Sequence, residues 1–137
     1  MALSKHNVEQ MARGYLMYEL AKRGYNIQIT DSRFPVVDML VVSPTGKYFG
    51  IDVKGQRTKN FWRFNEKEPK KDLFYAFVFV PENGIPRVFI MDSKTTMNEW
   101  NKYRDAAIKR GAPEENIWGL NWTTPHPFEN KYDLLPD

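Results

Sequence analysis

The feature that most constrains this chain is the run at 34–59, where two apolar strand patterns joined by a tight turn carry charges inside them. Residues 34–42 read FPVVDMLVV, 43–46 read SPTG, and 47–56 read KYFGIDVKGQ. The β-forming residues Val36, Val37, Leu40, Val41 and Val42 predict one strand, and the pattern from Tyr48 to Val53 predicts a second, with Pro44 and Gly46 marking the turn. Asp38, Asp52 and Lys54 interrupt this hairpin, and charges seldom enter buried strands unless paired, exposed or bound to metal. Asp52 and Lys54 are two apart, so a strand turns both to one face. Asp38, on the partner strand, reaches that face if the register allows.

Two close carboxylates repel, and a shared proton or a divalent cation relieves them. Ligation by one or two carboxylates, water and phosphate oxygens suits Mg²⁺ at roughly 2.1 Å, with Mn²⁺ as an alternative. A lysine beside such an ion can orient the attacking water or steady charge on a phosphate. The trio is thus a minimal kit for phosphodiester hydrolysis. The plainer alternative is a solvated salt bridge on an exposed strand.

The spacing of Asp38, thirteen intervening residues and then Asp52-Val53-Lys54 resembles the core motif of the PD-(D/E)xK nuclease superfamily, which includes many restriction endonucleases and Holliday junction resolvases. The resemblance covers about the first half of the chain, and Val37 stands where the name-giving proline would be. It implies that Asp38 and Asp52 hold Mg²⁺ together with the Val53 carbonyl, and that Lys54 serves the nucleophilic water. Members of the superfamily often carry a glutamate on the first helix that points into the site. Glu9 is the candidate, but an alternative alignment puts Arg13 there and removes one acidic contact. The resemblance also makes Gln56 a secondary site residue and Ser32 and Arg33 candidate phosphate contacts.

The first helix begins at Ser4, a good N-cap with Asn7 rather than Glu at the third position, and Gly24 ends it. Glu19 falls in its apolar arc, where a salt bridge or hydrogen bond is expected. Residues 25–30 alternate as a short strand. Between Lys54 and Lys71, seven Lys or Arg face two Glu, a net charge of +5, whereas 113–137 carries −4. A basic segment beside a metal site is what a polyanion would favour, with Arg57, Lys59 and Arg63 as candidate nucleic-acid contacts, although the charges alone read as a solvated loop with ordinary lysines. Phe61, Trp62 and Phe64 lie among these bases and could stack nucleobases. A structural role for Trp62 is the preferred reading. Residues 73–80 are apolar throughout, as in a strand buried on both faces, and 87–91 returns antiparallel to it. A helix follows from about Thr95 to Arg110, with Met97, Trp100, Tyr103, Ala107 and Ile108 inward.

The order predicts an α/β domain over 1–112 around a mixed sheet of about five strands. An irregular wrap at 113–137 belongs to the same domain, pinned by tryptophans and with a solvated acidic end. The resemblance makes this a restriction-endonuclease-like fold in which the helix usual between the third and fourth strands is shortened or missing. The absence of cysteine excludes a disulfide framework and fits a cytoplasmic protein, and no apolar run is long enough to span a membrane. His6 and His126 lack metal-ligand spacing, and there is no phosphate-cradling glycine loop or nucleophile elbow. The expected function is a Mg²⁺-dependent endonuclease acting on DNA, as a homodimer or with a partner protein where specificity is needed. The alternative is a degenerate nuclease-fold module that binds nucleic acid or protein.

Overall fold

The structure, a computed structural model, describes residues 2–30 and 37–137. Its first element is α1 (Lys5–Lys22), buried along Val8, Ala12, Leu16 and Leu20, a four-residue spacing that places one apolar stripe against the sheet. The Ser4 side chain accepts the Asn7 N–H, and the Asn7 side chain accepts the Ser4 N–H, so asparagine completes the capping box in place of glutamate. Gly24, at φ +87°, ends the helix. Glu19 pairs with Arg23 at 2.8 Å and Lys22 at 3.6 Å, as expected.

Five strands form a mixed sheet: β1 (Asn26–Ile29), β2 (Met39–Val42), β3 (Tyr48–Gln56), β5 (Leu73–Phe79) and β6 (Arg87–Asp92). They lie in that spatial order. β1, β2 and β3 form an antiparallel meander, β5 runs parallel to β3, and β6 returns antiparallel to β5. The parallel pair requires a crossover, and residues 57–72 provide it without a helix. Their one regular element is β4 (Trp62–Arg63).

Each sheet face carries its own apolar cluster. Leu16 and Leu20 of α1 pack against Met39, Val41, Ile51, Val78 and Ile90 on one side. On the other, α2 (Ser93–Lys109) and the crossover cover Tyr75, Phe77, Phe89 and Met91 with Met97, Trp100, Trp62 and Phe64. All seven residues of β5 are buried, which explains its unbroken apolar sequence. Full burial of each large side chain contributes about 1.5–3 kcal/mol.

The segment beyond residue 112 is more ordered than the irregular wrap expected from sequence. Its β7 (Gly119–Leu120) pairs with β4, and two short 3₁₀ turns follow at His126–Phe128 and Tyr132–Leu134. The tryptophans pin it as predicted. Trp118 is buried, and Trp122 stacks on Trp62 with ring centroids 5.7 Å apart. The end is not wholly solvated. Glu129 forms a two-pronged ion pair with Arg87 at 2.9 and 3.0 Å, and Tyr132 and Leu135 join the α1 cluster. Trp62 is 2% exposed and edge-on to Phe77, so its role is structural.

Candidate active site

β2 and β3 pair with Met39 opposite Ile51, so one step back along β2 brings Asp38 opposite Asp52. The register puts both acids on one face. There β2 ends while β3 continues to Gln56, held on its other side by β5. The edge of β3 beyond Ile51 is therefore open. Asp38 fastens its start: the Asp38 N–H donates to the Ile51 carbonyl at 3.1 Å, and Asp38 Oδ2 accepts the Val53 N–H at 2.7 Å. The Thr30 N–H donates to the Asp38 carbonyl at 3.0 Å. Because N–H and C=O of one strand residue leave on the same side, the Val53 carbonyl also faces the open edge.

Asp52 is the hub. Its side chain is 5% exposed, with Lys54 Nζ 3.1 Å from Oδ1 and Lys67 Nζ 2.5 Å from Oδ2. The Asp38 carboxyl lies beside it, close enough for the two to influence each other's ionisation. Burial, with the adjacent Asp52 carboxylate, pushes the Asp38 carboxyl up to about 6. Burial alone would raise Asp52 too, but Lys54, Lys67 and Asp38 outweigh it and hold Asp52 below its ordinary value. The pair settles as one ionised and one readily protonated carboxyl. Tyr75 lies beside Asp52 on β5, fully buried, and its hydroxyl has no hydrogen-bond partner among the described residues.

Asp38, Asp52, Lys54 and Lys67 line a cleft of about 790 Å³. Lys5, His6, Glu9 and Arg13 of α1 form one wall, because α1 approaches β3 closely: a Cβ on Gly55 would lie 2.6 Å from Ala12 Cβ. Glu9 and Arg13, the two candidates for one position, both line the cleft, one helical turn apart. Gln56 also lines it, but its amide nitrogen donates to the Asn60 carbonyl at 2.6 Å and so braces the turn after β3. Arg63 lines the cleft. Arg57 and Lys59 are not among the lining residues, and the Lys59 charge is instead felt by His126. Ser32 and Arg33 lie outside the described residues. Five cations (Lys5, Arg13, Lys54, Arg63, Lys67) face three acids (Glu9, Asp38, Asp52), a surplus suited to an anion.

Lys67 is the residue that spacing in the sequence does not reveal. It stands on the irregular crossover, held by α2: the Lys67 N–H reaches Met97 Sδ at 3.4 Å, the Lys70 N–H donates to Ser93 Oγ at 3.2 Å, and Trp100 Nε1 donates to the Phe64 carbonyl at 3.0 Å. The only sequence signal for it is the basic run to which it belongs.

Among the described residues no group of three or more His, Cys, Asp or Glu has the arrangement to hold a metal ion. The oxygen donors that line this part of the cleft are the Asp38 and Asp52 carboxylates, with the Val53 main chain beside them. That oxygen-only set fits a hard ion that keeps several waters and takes phosphate oxygens, as Mg²⁺ does. No helix among the described residues is long and apolar enough to cross a membrane. Comparison with protein-family models, curated proteins and solved structures gives no match, so the functional reading rests on the site itself.

Proposed function

We propose that this protein is a metal-dependent nuclease-like enzyme of the PD-(D/E)xK type, with a restriction-endonuclease-like fold, that hydrolyses DNA phosphodiester bonds. The observation that carries this reading is the meeting of Asp38, Asp52 and Lys54 at the open edge of β3, inside a cleft with surplus positive charge. Asp38, Asp52 and the Val53 carbonyl would hold a divalent ion, with Glu9 across the cleft as an auxiliary acid. A bound Mg²⁺ or Mn²⁺ supplies Lewis acidity and a more acidic water. Lys54 would orient the attacking water and offset charge growing on the phosphate, while Lys5, Arg13 and Arg63 would grip neighbouring phosphates.

Trp62 and Phe64 are buried, which leaves neither to stack on bases, and Phe61 is partly buried against Tyr103. Recognition on this reading runs through the phosphate backbone, which positions a duplex without reading its sequence. Specificity then calls for a second copy or a partner protein. The proposed setting is the cytoplasm.

The second reading, a binding module with a degenerate site, is favoured by Lys67 on Asp52 and by Arg13 in the cleft wall. Plasmid nicking in Mg²⁺ and in Mn²⁺ separates the two. The nuclease reading expects nicking by wild type and none by Asp52→Asn at equal folding. Duplex binding without nicking in either metal favours the module.

A further inference from the structure

Both oxygens of the most buried acid in the cleft are already engaged by ammonium groups, and the two lysines differ in how they are held. Lys54 is fixed at its base within β3, between Val53 and Gly55, which pair with β5. Its ammonium is 5.7 Å from the centre of the Phe64 ring. Lys67 comes instead from the irregular crossover, with a side chain about as exposed as that of Lys54, and meets Asp52 Oδ2 at 2.5 Å. A divalent ion bound to that oxygen at roughly 2.1 Å would share it with an ammonium, against direct charge repulsion.

We infer that Lys67 is the resident cation of the site, holding the Asp52 oxygen a divalent ion would use and leaving it for a substrate phosphate, so that metal binding and nucleic-acid binding are coupled through this one side chain. The inference rests on the metal-dependent reading above. Without nucleic acid, an incoming ion must displace the Lys67 ammonium from the buried Asp52 carboxylate, giving up a charge-assisted hydrogen bond to form the metal bond. With nucleic acid in the cleft, a phosphate offers Lys67 a new partner at the moment it yields Asp52. Coupling of this kind is reciprocal: the duplex tightens the metal, and the metal tightens the duplex.

The test is calorimetric titration of Mn²⁺ into wild type and Lys67→Met, each alone and with a non-cleavable phosphorothioate duplex. Wild type is expected to bind Mn²⁺ roughly 5–150-fold more tightly with the duplex present, the usual span of such coupling. Lys67→Met is expected to bind Mn²⁺ more tightly than wild type when alone and to lose most of the duplex effect. Lys67→Arg, which keeps the charge, is expected to retain the coupling. Lys67→Gln replaces the methionine variant if that fails to fold, with the same expectations. Equal Mn²⁺ affinity in free wild type and Lys67→Met, coupling that survives the loss of charge, or no Mn²⁺ binding in any of the proteins would overturn the inference. Nicking is scored separately. Coupling without nicking would overturn hydrolysis and keep the role of Lys67, whereas nicking that needs Asp52 but shows no Lys67-dependent coupling would do the reverse.

Discussion

Asp38 Oδ2 accepts the Val53 N–H at 2.7 Å, taking with a side chain the place that a β2 carbonyl would hold had that strand continued. One carboxylate therefore fastens the start of the open β3 edge, faces Asp52 and marks where the cleft begins.

That double duty separates two substitutions. Asp38→Asn keeps an acceptor for Val53 and can donate to Asp52, whereas Asp38→Ala strands a main-chain N–H. The alanine variant should be about 1–3 kcal/mol less stable than the asparagine variant, measured by urea unfolding at neutral pH.

The same residue gives a pH dependence. Its carboxyl is raised from 3.8 to about 6 in the folded protein. A raised carboxylate binds more protons folded than unfolded, so its stabilising effect is present at low pH and falls as pH climbs from about 4 through 6. Asp38→Asn mimics the protonated form permanently. It should be more stable than wild type above pH ~7, by on the order of 1–3 kcal/mol, with the gain vanishing near pH ~4. Thermal unfolding across pH checks this, and a gain confined to acid would contradict it.

Contact between α1 and β3 sets the cleft wall. Gly55→Ala would drive a new Cβ to 2.6 Å from Ala12 Cβ. Overpacking of this sort costs about 1–3 kcal/mol, and Ala12→Gly in the same chain should recover part of it despite the lower helix propensity of glycine. A double-mutant cycle measures the recovery. Purely additive losses would show that the two positions do not meet.

At Gly119 the constraint is the backbone itself, since an added Cβ would fall 1.7 Å from the Trp62 carbonyl oxygen. Gly119→Ala should break the β4–β7 pairing and lower the melting temperature by several degrees, on the scale of ~1–3 kcal/mol or more. Loss of the near-ultraviolet tryptophan signal should accompany it, because Trp62 and Trp122 stack beside that pairing.

If phosphates are gripped by the cleft cations, duplex affinity should fall steeply with salt. Arg13→Ala and Arg63→Ala should each reduce the slope of log K against log salt by about 1, whereas Lys59→Ala, away from the cleft, should leave it unchanged.

Much of this arrangement is legible in the sequence where it depends on local period. Strand alternation puts Asp52 and Lys54 together, and the four-residue spacing of α1 brings Glu9 and Arg13 to one wall. The antiparallel pairing of 73–80 with 87–91 follows from their short connection. Asp38 meeting Asp52 depends on hairpin register, which the five-residue turn at 43–47 fixes through the Ser43–Lys47 and Ser43–Gly46 hydrogen bonds. Lys67 and the β4–β7 pair depend on tertiary packing alone. Trp62 meets Leu120 across 58 positions, and the segment that carries Lys67 is held to α2 by Met97 at the Lys67 N–H and by Ser93 at the Lys70 N–H. No local pattern encodes either. Arg57 and Lys59, candidates by charge, miss the cleft because charge along the sequence says nothing of which way an irregular segment turns.

The most direct test of the central claim, that the paired acids of β2 and β3 hold a divalent ion, is titration of Mn²⁺ into wild type and Asp52→Asn, both with a non-cleavable duplex bound. Saturable binding in wild type that is lost in the variant is the predicted result. Equal binding in the two proteins, or none in wild type, would contradict it.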